Sequence, residues 1–283
     1  MEQEIEEGGS MILQKYQDWC IQNKDNDVVK FYTELFKTLT SKQEIVEALA
    51  PRDTLHEAGT KVKTGAFFTP LHIVSKMYEY LDTALGVGWQ SDYVVWDMCC
   101  GSGNLLAAHL NPRKVFLSTL EQTDVDILKA SGLYNNVWQY DYLNDDVGSS
   151  GIDYSITNKV PSKLQQALKF NKKILILINP PYLHPKGGLA NTTKTKIKQL
   201  MLANKLGKAS NELAMQFMYR VQTEFPNAVV AILSPPKYLS SEVAQNLRDV
   251  WEYEAKAGFL CSSKHFEGVN GEFPLSFIIW GKI

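Results

Sequence analysis

The chain has 283 residues, 45% of them hydrophobic and 21% charged, with a formal net charge of -2. The apolar share is enough for a sizeable core and excludes a predominantly disordered chain, and the balanced charge excludes a uniformly basic nucleic-acid-coating protein, so any such contact must use a local patch. Cys20, Cys99, Cys100 and Cys261 make neither a disulfide framework nor two pairs at zinc-ligand spacing, which suits the cytoplasm and predicts no bound metal; no apolar run reaches the ~20 residues of a membrane helix.

In chain order, residues 1–10 carry Glu2, Glu4, Glu6 and Glu7 before Gly8 and Gly9, and read as a flexible acidic tail. From Met11, apolar residues such as Tyr16, Trp19, Phe31, Leu35 and Phe36 recur at helical spacing, which predicts a small helical lobe over residues 11–60. TGAFFTP, Thr64–Pro70, then reads as a loop feeding a helix over Leu71–Leu85, with Pro70 at its start.

After Gly86 the pattern changes to short apolar runs: Tyr93–Met98, Val115–Leu120, Val137–Tyr140, Ile174–Ile178, Ala228–Leu233 and Ser276–Trp280. Several are continuous rather than alternating, as in strands covered on both faces. Helical stretches Asn104–Leu110, Asp124–Ser131, Pro161–Phe170 and Glu212–Thr223 fall between them, so residues 61–283 read as one α/β domain with a mainly parallel sheet.

VVWDMCCGSGNLL, Val94–Leu106, is a strand followed by a glycine turn, where ligands bind at the carboxyl ends of parallel strands. Gly101 and Gly103 let a ligand approach the backbone, but a dinucleotide loop wants a third glycine where Leu106 stands. Asp97, ending the strand, repels a pyrophosphate and suits an ammonium or sulfonium ligand. Glu121, after the next strand, can accept hydrogen bonds from ribose hydroxyls, with Asp124 second in line; it can equally be a helix N-terminal carboxylate placed by the dipole. Asp141 can accept from an adenine amine or simply cap a turn.

ILILINPPY, Ile174–Tyr182, sends a buried strand into an amide, two prolines and an aromatic. An exocyclic amine on a nucleobase is a poor nucleophile because its lone pair is delocalised into the ring. The amide oxygen of Asn179 and the carbonyl oxygen of Pro180, made rigid by Pro180 and Pro181, can accept its hydrogens and draw the nitrogen toward tetrahedral geometry. Tyr182 offers a face on which the base can stack. No strong general base is needed, since the nitrogen becomes acidic only after alkylation.

With these three motifs in this order, the chain resembles the N6-adenine DNA methyltransferases of restriction–modification systems, in their gamma arrangement. The resemblance covers about residues 64–280. It implies a Rossmann-like methyltransferase fold with a seven-stranded sheet, S-adenosyl-L-methionine as cofactor and DNA as partner. It also implies that Gly65, Phe67, Phe68, Thr69 and Pro70 line the cofactor's methionine end and adenosine, that Asp97, Gly101 and Gly103 hold its amino-acid part, that Glu121 holds the ribose and Asp141 the adenine, and that Asn179, Pro180 and Tyr182 grip the target base. The family usually places another aromatic across that base; Phe266 and Phe273 are the candidates here, with Phe266 slightly ahead.

Residues 183–208 carry Lys186, Lys194, Lys196, Lys198, Lys205 and Lys208 with no acidic residue. This stretch can follow DNA phosphates, the first four lysines foremost, or can be a solvated loop. The chain is short for a catalytic sheet with its own recognition domain, so three expectations stand side by side: a separate specificity subunit as a further partner, a piece of a longer enzyme, or action with little selectivity. Two other readings stay open: a methyltransferase-like subunit inactive alone, and an NPPY enzyme acting on RNA or on protein glutamine. TGAFFTP favours DNA.

Overall fold

The computed structural model describes residues 2–51, 69–181, 194–266 and 271–283, with side chains from residue 11 onward. Three helices open the chain: α1 (Glu2–Asn23), α2 (Val28–Phe36) and α3 (Lys42–Leu49). The segment read as an acidic tail falls within α1 from Glu2 onward. The Asp27 carboxylate caps α2 by accepting from the Val29 and Lys30 backbone N–H groups, and Ser41 and Glu44 form a capping box on α3.

The lobe is not a separate body. Phe31, Tyr32, Phe36 and Leu49 belong to the same apolar cluster as Val95, Leu117 and Leu177 of the sheet. This cluster also takes in α4 (Leu71–Leu85) and α5 (Gln122–Ala130), which cover that face.

The sheet holds β1 (Val94–Asp97), β2 (Val115–Thr119), β3 (Val137–Gln139), β6 (Ile174–Ile178), β7 (Val229–Ser234), β8 (Tyr253–Ser262) and β9 (Pro274–Lys282), in the spatial order β3-β2-β1-β6-β7-β9-β8. The pairings from β3 to β7 are parallel, and β9 runs antiparallel to both β7 and β8. A separate hairpin, β4 (Val147–Gly148) with β5 (Gly151–Ile152), lies outside this sheet. The continuous apolar run of β6 has a simple cause. Ile174, Ile176 and Ile178 enter a second cluster under α6 (Ser162–Lys169), α7 (Lys196–Ala203) and α8 (Leu213–Glu224), whereas Leu175 and Leu177 enter the first.

Several elements differ from the sequence reading, among them the hairpin β4–β5 and the helix Lys196–Ala203, which lies within the stretch read as following DNA phosphates or as a solvated loop. The helix expected over Asn104–Leu110 is only a single 3-10 turn, Asn104–Leu106, because Asn111–Pro112 follows closely and the residue before a proline disfavours helix. Strand β8 was not expected. It is an edge strand with much of its surface in solvent, so its residues lack the apolar pattern of a covered strand.

The chain turns from β1 toward β2 and β3 on one side and later enters β6 on the other, so the strand order reverses between β1 and β6. Trp96 is in register with Ile176, and Asp97 and Asn179 therefore leave neighbouring strands at this switch point.

Candidate cofactor and base site

Asp97 is fully buried at the end of β1. Its Oδ1 accepts from the Cys99 backbone N–H at 3.1 Å, and its Oδ2 is buried with no hydrogen-bond partner among the described residues. Burial raises the carboxyl pKa from 3.8 to about 7, against the opposing pull of the Cys99 hydrogen bonds. An unpartnered buried carboxylate oxygen is costly, and a cationic ligand group is what relieves it.

The glycine turn beside it is held from several directions. The Cys100 N–H donates to the Ser118 carbonyl of β2 at 3.0 Å, and the Gly103 N–H closes the turn on the Cys100 carbonyl at 2.8 Å. Gly101 and Gly103 both have positive φ, 50° and 81°. At Gly103 a Cβ would also meet Leu128 Cδ2 at 3.1 Å and Tyr134 Cε2 at 3.2 Å, and Tyr134 donates its hydroxyl to the Gly103 carbonyl at 3.0 Å. Only glycine suits both the conformation and the space.

Thr69 is 2% exposed, and Pro70 opens α4. The Asn179 Nδ2 donates to Thr69 Oγ1 at 3.0 Å, and the Asn104 Nδ2 donates to the Thr69 carbonyl at 3.4 Å. These bonds bring the loop before α4, the glycine loop and the Asn-Pro-Pro loop together. Pro180 is buried and Pro181 half-buried. Gly65, Phe67, Phe68, Tyr182 and Lys186 lie outside the described residues.

Glu121 and Asp141 follow β2 and β3 at the same edge of the sheet. Glu121 occupies the capping position of α5 with an exposed side chain that makes no capping hydrogen bond, while Asp124 is buried in the first turn. The Asp141 carboxylate accepts from the Leu143 N–H at 3.1 Å and from Asn144 Nδ2 at 2.8 Å, so it does cap a turn.

The two late phenylalanines differ in burial, and Phe273 also packs against the cluster that holds Phe266. Phe266 is 3% exposed and packed into the core, where it offers no face to an incoming base; Phe273 is half-buried. The Ser263 N–H donates to the Phe273 carbonyl at 2.9 Å, and the Phe273 N–H donates to Ser263 Oγ at 3.0 Å. Ser276 pairs with Ser234 at the carboxyl end of β7, which brings this loop to the site edge. Lys194 and Lys196 are exposed and Lys198 is half-buried.

Sequence reasoning missed Asn104 and Tyr134 as supports of the glycine loop. Asn104 lies within the motif itself, but the partners of both are 35 and 31 residues away and leave no local pattern. Among the described residues no group of three or more His, Cys, Asp or Glu is placed to hold a metal, and no helix is long and apolar enough to cross a membrane.

This strand order, with an acidic end to β1 and a glycine turn leading on to β2, defines an S-adenosylmethionine-dependent methyltransferase fold. The chain belongs to the N-6 DNA methylase family, whose model matches residues 55–243 and so takes in all three motifs.

Among solved structures the chain is similar to the DrdV–DNA complex, at 15% identity and TM-score 0.57 over 85% of this chain and 29% of that one. It is also similar to the type IIG restriction endonuclease BpuSI, at 16% identity and TM-score 0.56 over 86% and 28% of the two chains. A Listeria monocytogenes protein described as a class I S-adenosylmethionine-dependent methyltransferase matches at 14% identity and TM-score 0.56 over 97% and 78%. The chain thus spans under a third of the length of DrdV and BpuSI. No curated protein matches the chain by sequence.

Proposed function

We propose that this chain transfers a methyl group from S-adenosyl-L-methionine to the N6 amine of adenine in DNA, as part of a restriction–modification system. The observation that carries this reading is the buried Asp97, with one oxygen unpartnered, beside the strand that delivers Asn179. A carboxylate that needs a cation thus adjoins an amide that can accept from an amine.

The bound cofactor supplies a methyl group on a sulfonium, which needs only an aligned nucleophile. Ionised Asp97 pairs with its ammonium group, and Gly101 and Gly103 admit its amino-acid part close to the backbone. Thr69 and Pro70, with Gly65, Phe67 and Phe68, border the methionine end; Glu121 accepts from the ribose and Asp141 from the adenine, with a lone pair its turn does not use.

Asn179 Oδ1 and the Pro180 carbonyl accept the two hydrogens of the target amine, which localises its lone pair on nitrogen. Tyr182 and Phe273 enclose the base, and Pro181 stiffens the loop. Once methylated, the nitrogen carries positive charge and its proton leaves to water, so these residues orient rather than deprotonate it. Lys186, Lys194, Lys196 and Lys198 follow the DNA backbone.

Incubation with methyl-labelled cofactor and, separately, DNA, RNA or a release-factor protein tests the reading. Label in N6-methyladenine of DNA supports it. Label only in RNA or in protein glutamine moves the chain to another substrate class, and cofactor-free DNA binding with no transfer makes it an inactive subunit.

A further inference from the structure

The Asn179 side chain has two unlike ends, and only one helps an incoming amine. Its Oδ1 accepts hydrogens, whereas its Nδ2 carries two donors that would confront the amine's own. Which end faces the base depends on what the protein does with the other. Here Nδ2 donates to Thr69 Oγ1 at 3.0 Å.

Thr69 is itself immobilised. It is buried, its carbonyl accepts from Asn104 Nδ2, and Asn104 Oδ1 in turn accepts from the Ser102 hydroxyl at 3.1 Å. The acceptor that meets Nδ2 is therefore anchored to the glycine loop.

We infer that Thr69 is a positioning residue for the methyl-transfer step: by accepting from Nδ2, its hydroxyl oxygen holds the amide with Oδ1 directed at the target amine. The inference rests on the reading of Asn179 as the base-gripping residue and adds to Thr69 a role separate from bordering the cofactor. Thr69→Val takes away the acceptor that meets Nδ2 and with it this bias toward the orientation with Oδ1 at the base.

Thr69→Val keeps the shape of the side chain and removes the acceptor; Thr69→Ser keeps the acceptor. Rates are measured with the full chain, tritium-labelled S-adenosylmethionine and unmethylated bacterial genomic DNA, and S-adenosylhomocysteine affinity by calorimetry on the same proteins. Thr69→Val lowers kcat by roughly 10–100-fold, as expected for one misdirected transition-state hydrogen bond, and Thr69→Ser restores it. Because Thr69 also borders the cofactor, the readout is kcat at saturating cofactor, which falls well beyond any loss of S-adenosylhomocysteine affinity; retained binding reports that the variants fold.

An active wild type with an unaffected Thr69→Val overturns the proposal alone. So does a variant whose cofactor affinity falls in proportion to its rate, because Thr69 would then act on the cofactor. A wild type that transfers no methyl group to DNA, RNA or protein overturns the reading of Asn179 as well.

Discussion

The Cys99 backbone N–H satisfies Oδ1 of Asp97 at 3.1 Å and leaves Oδ2 of the same carboxylate buried without a partner among the described residues. Because burial lifts the Asp97 pKa to about 7, the carboxyl group of the unliganded protein is largely neutral in mildly acid solution. A ligand ammonium group needs it ionised. Affinity for S-adenosylhomocysteine therefore falls as pH drops below about 7, approaching tenfold per unit, and levels off above. Calorimetry between pH 5 and 8 measures this dependence, and Asp97→Asn flattens it while weakening binding at pH 8.

The same group sets a stability trend of its own. A raised folded pKa means that the folded state holds its proton more tightly than the unfolded chain, so Asp97 costs stability as pH rises from 3.8 through about 7. Without ligand, Asp97→Asn is expected to melt higher than wild type at pH 8 and nearly level with it near pH 4. Thermal unfolding at the two pH values checks the sign.

Gly103 combines a φ of 81° with side chains within 3.2 Å of where a Cβ would lie. Gly103→Ala is expected to destabilise by about 1–3 kcal/mol and to weaken cofactor binding. Gly88 has no heavy atom within 4 Å of its Cβ position, so Gly88→Ala is the near-neutral control. Urea denaturation compares the two.

Phe266 and Phe273 differ in burial, and the proposed base contact falls to Phe273. Phe266→Ala empties a buried site and costs about 3–5 kcal/mol of stability. Phe273→Ala costs less stability and instead lowers methyl transfer to DNA. Denaturation curves alongside transfer rates test the assignment of Phe273 to the base.

Away from the site, Arg220 is fully buried and pairs with Glu224 at 2.9 Å. It also donates to the Tyr142 carbonyl, to the Asp145 carbonyl at 2.9 Å and to the Tyr140 hydroxyl at 2.8 Å, with its guanidinium 4.1 Å from the Tyr142 ring centroid. Arg220→Met leaves Glu224 buried without its cation and is expected to cost about 3–5 kcal/mol. Adding Glu224→Gln should recover part of that loss in a double-mutant cycle.

Much of the fold was legible because its signals are local. Pro70 and Gly86 bracket the helix Leu71–Leu85, and the apolar run Ile174–Ile178 coincides with a strand buried on both faces. Asp97, the glycines and Asn179 could be found because strand ends at a switch point are marked by motif residues. Strand β8 was not legible, since its solvent-facing edge removes the apolar pattern. The bond between Thr69 and Asn179 spans 110 residues, and the burial of Phe266 over Phe273 depends on tertiary packing; no local spacing encodes either.

The central claim is that Asn179 grips an adenine amine for methyl transfer. Its most direct test is sequencing of methylated bases in genomic DNA from cells expressing the wild-type chain or Asn179→Ala, with S-adenosylhomocysteine binding by the purified variant measured in parallel. N6-methyladenine is expected with wild type and its loss in the variant, with cofactor-product binding that survives. Unimpaired adenine methylation by Asn179→Ala would contradict it.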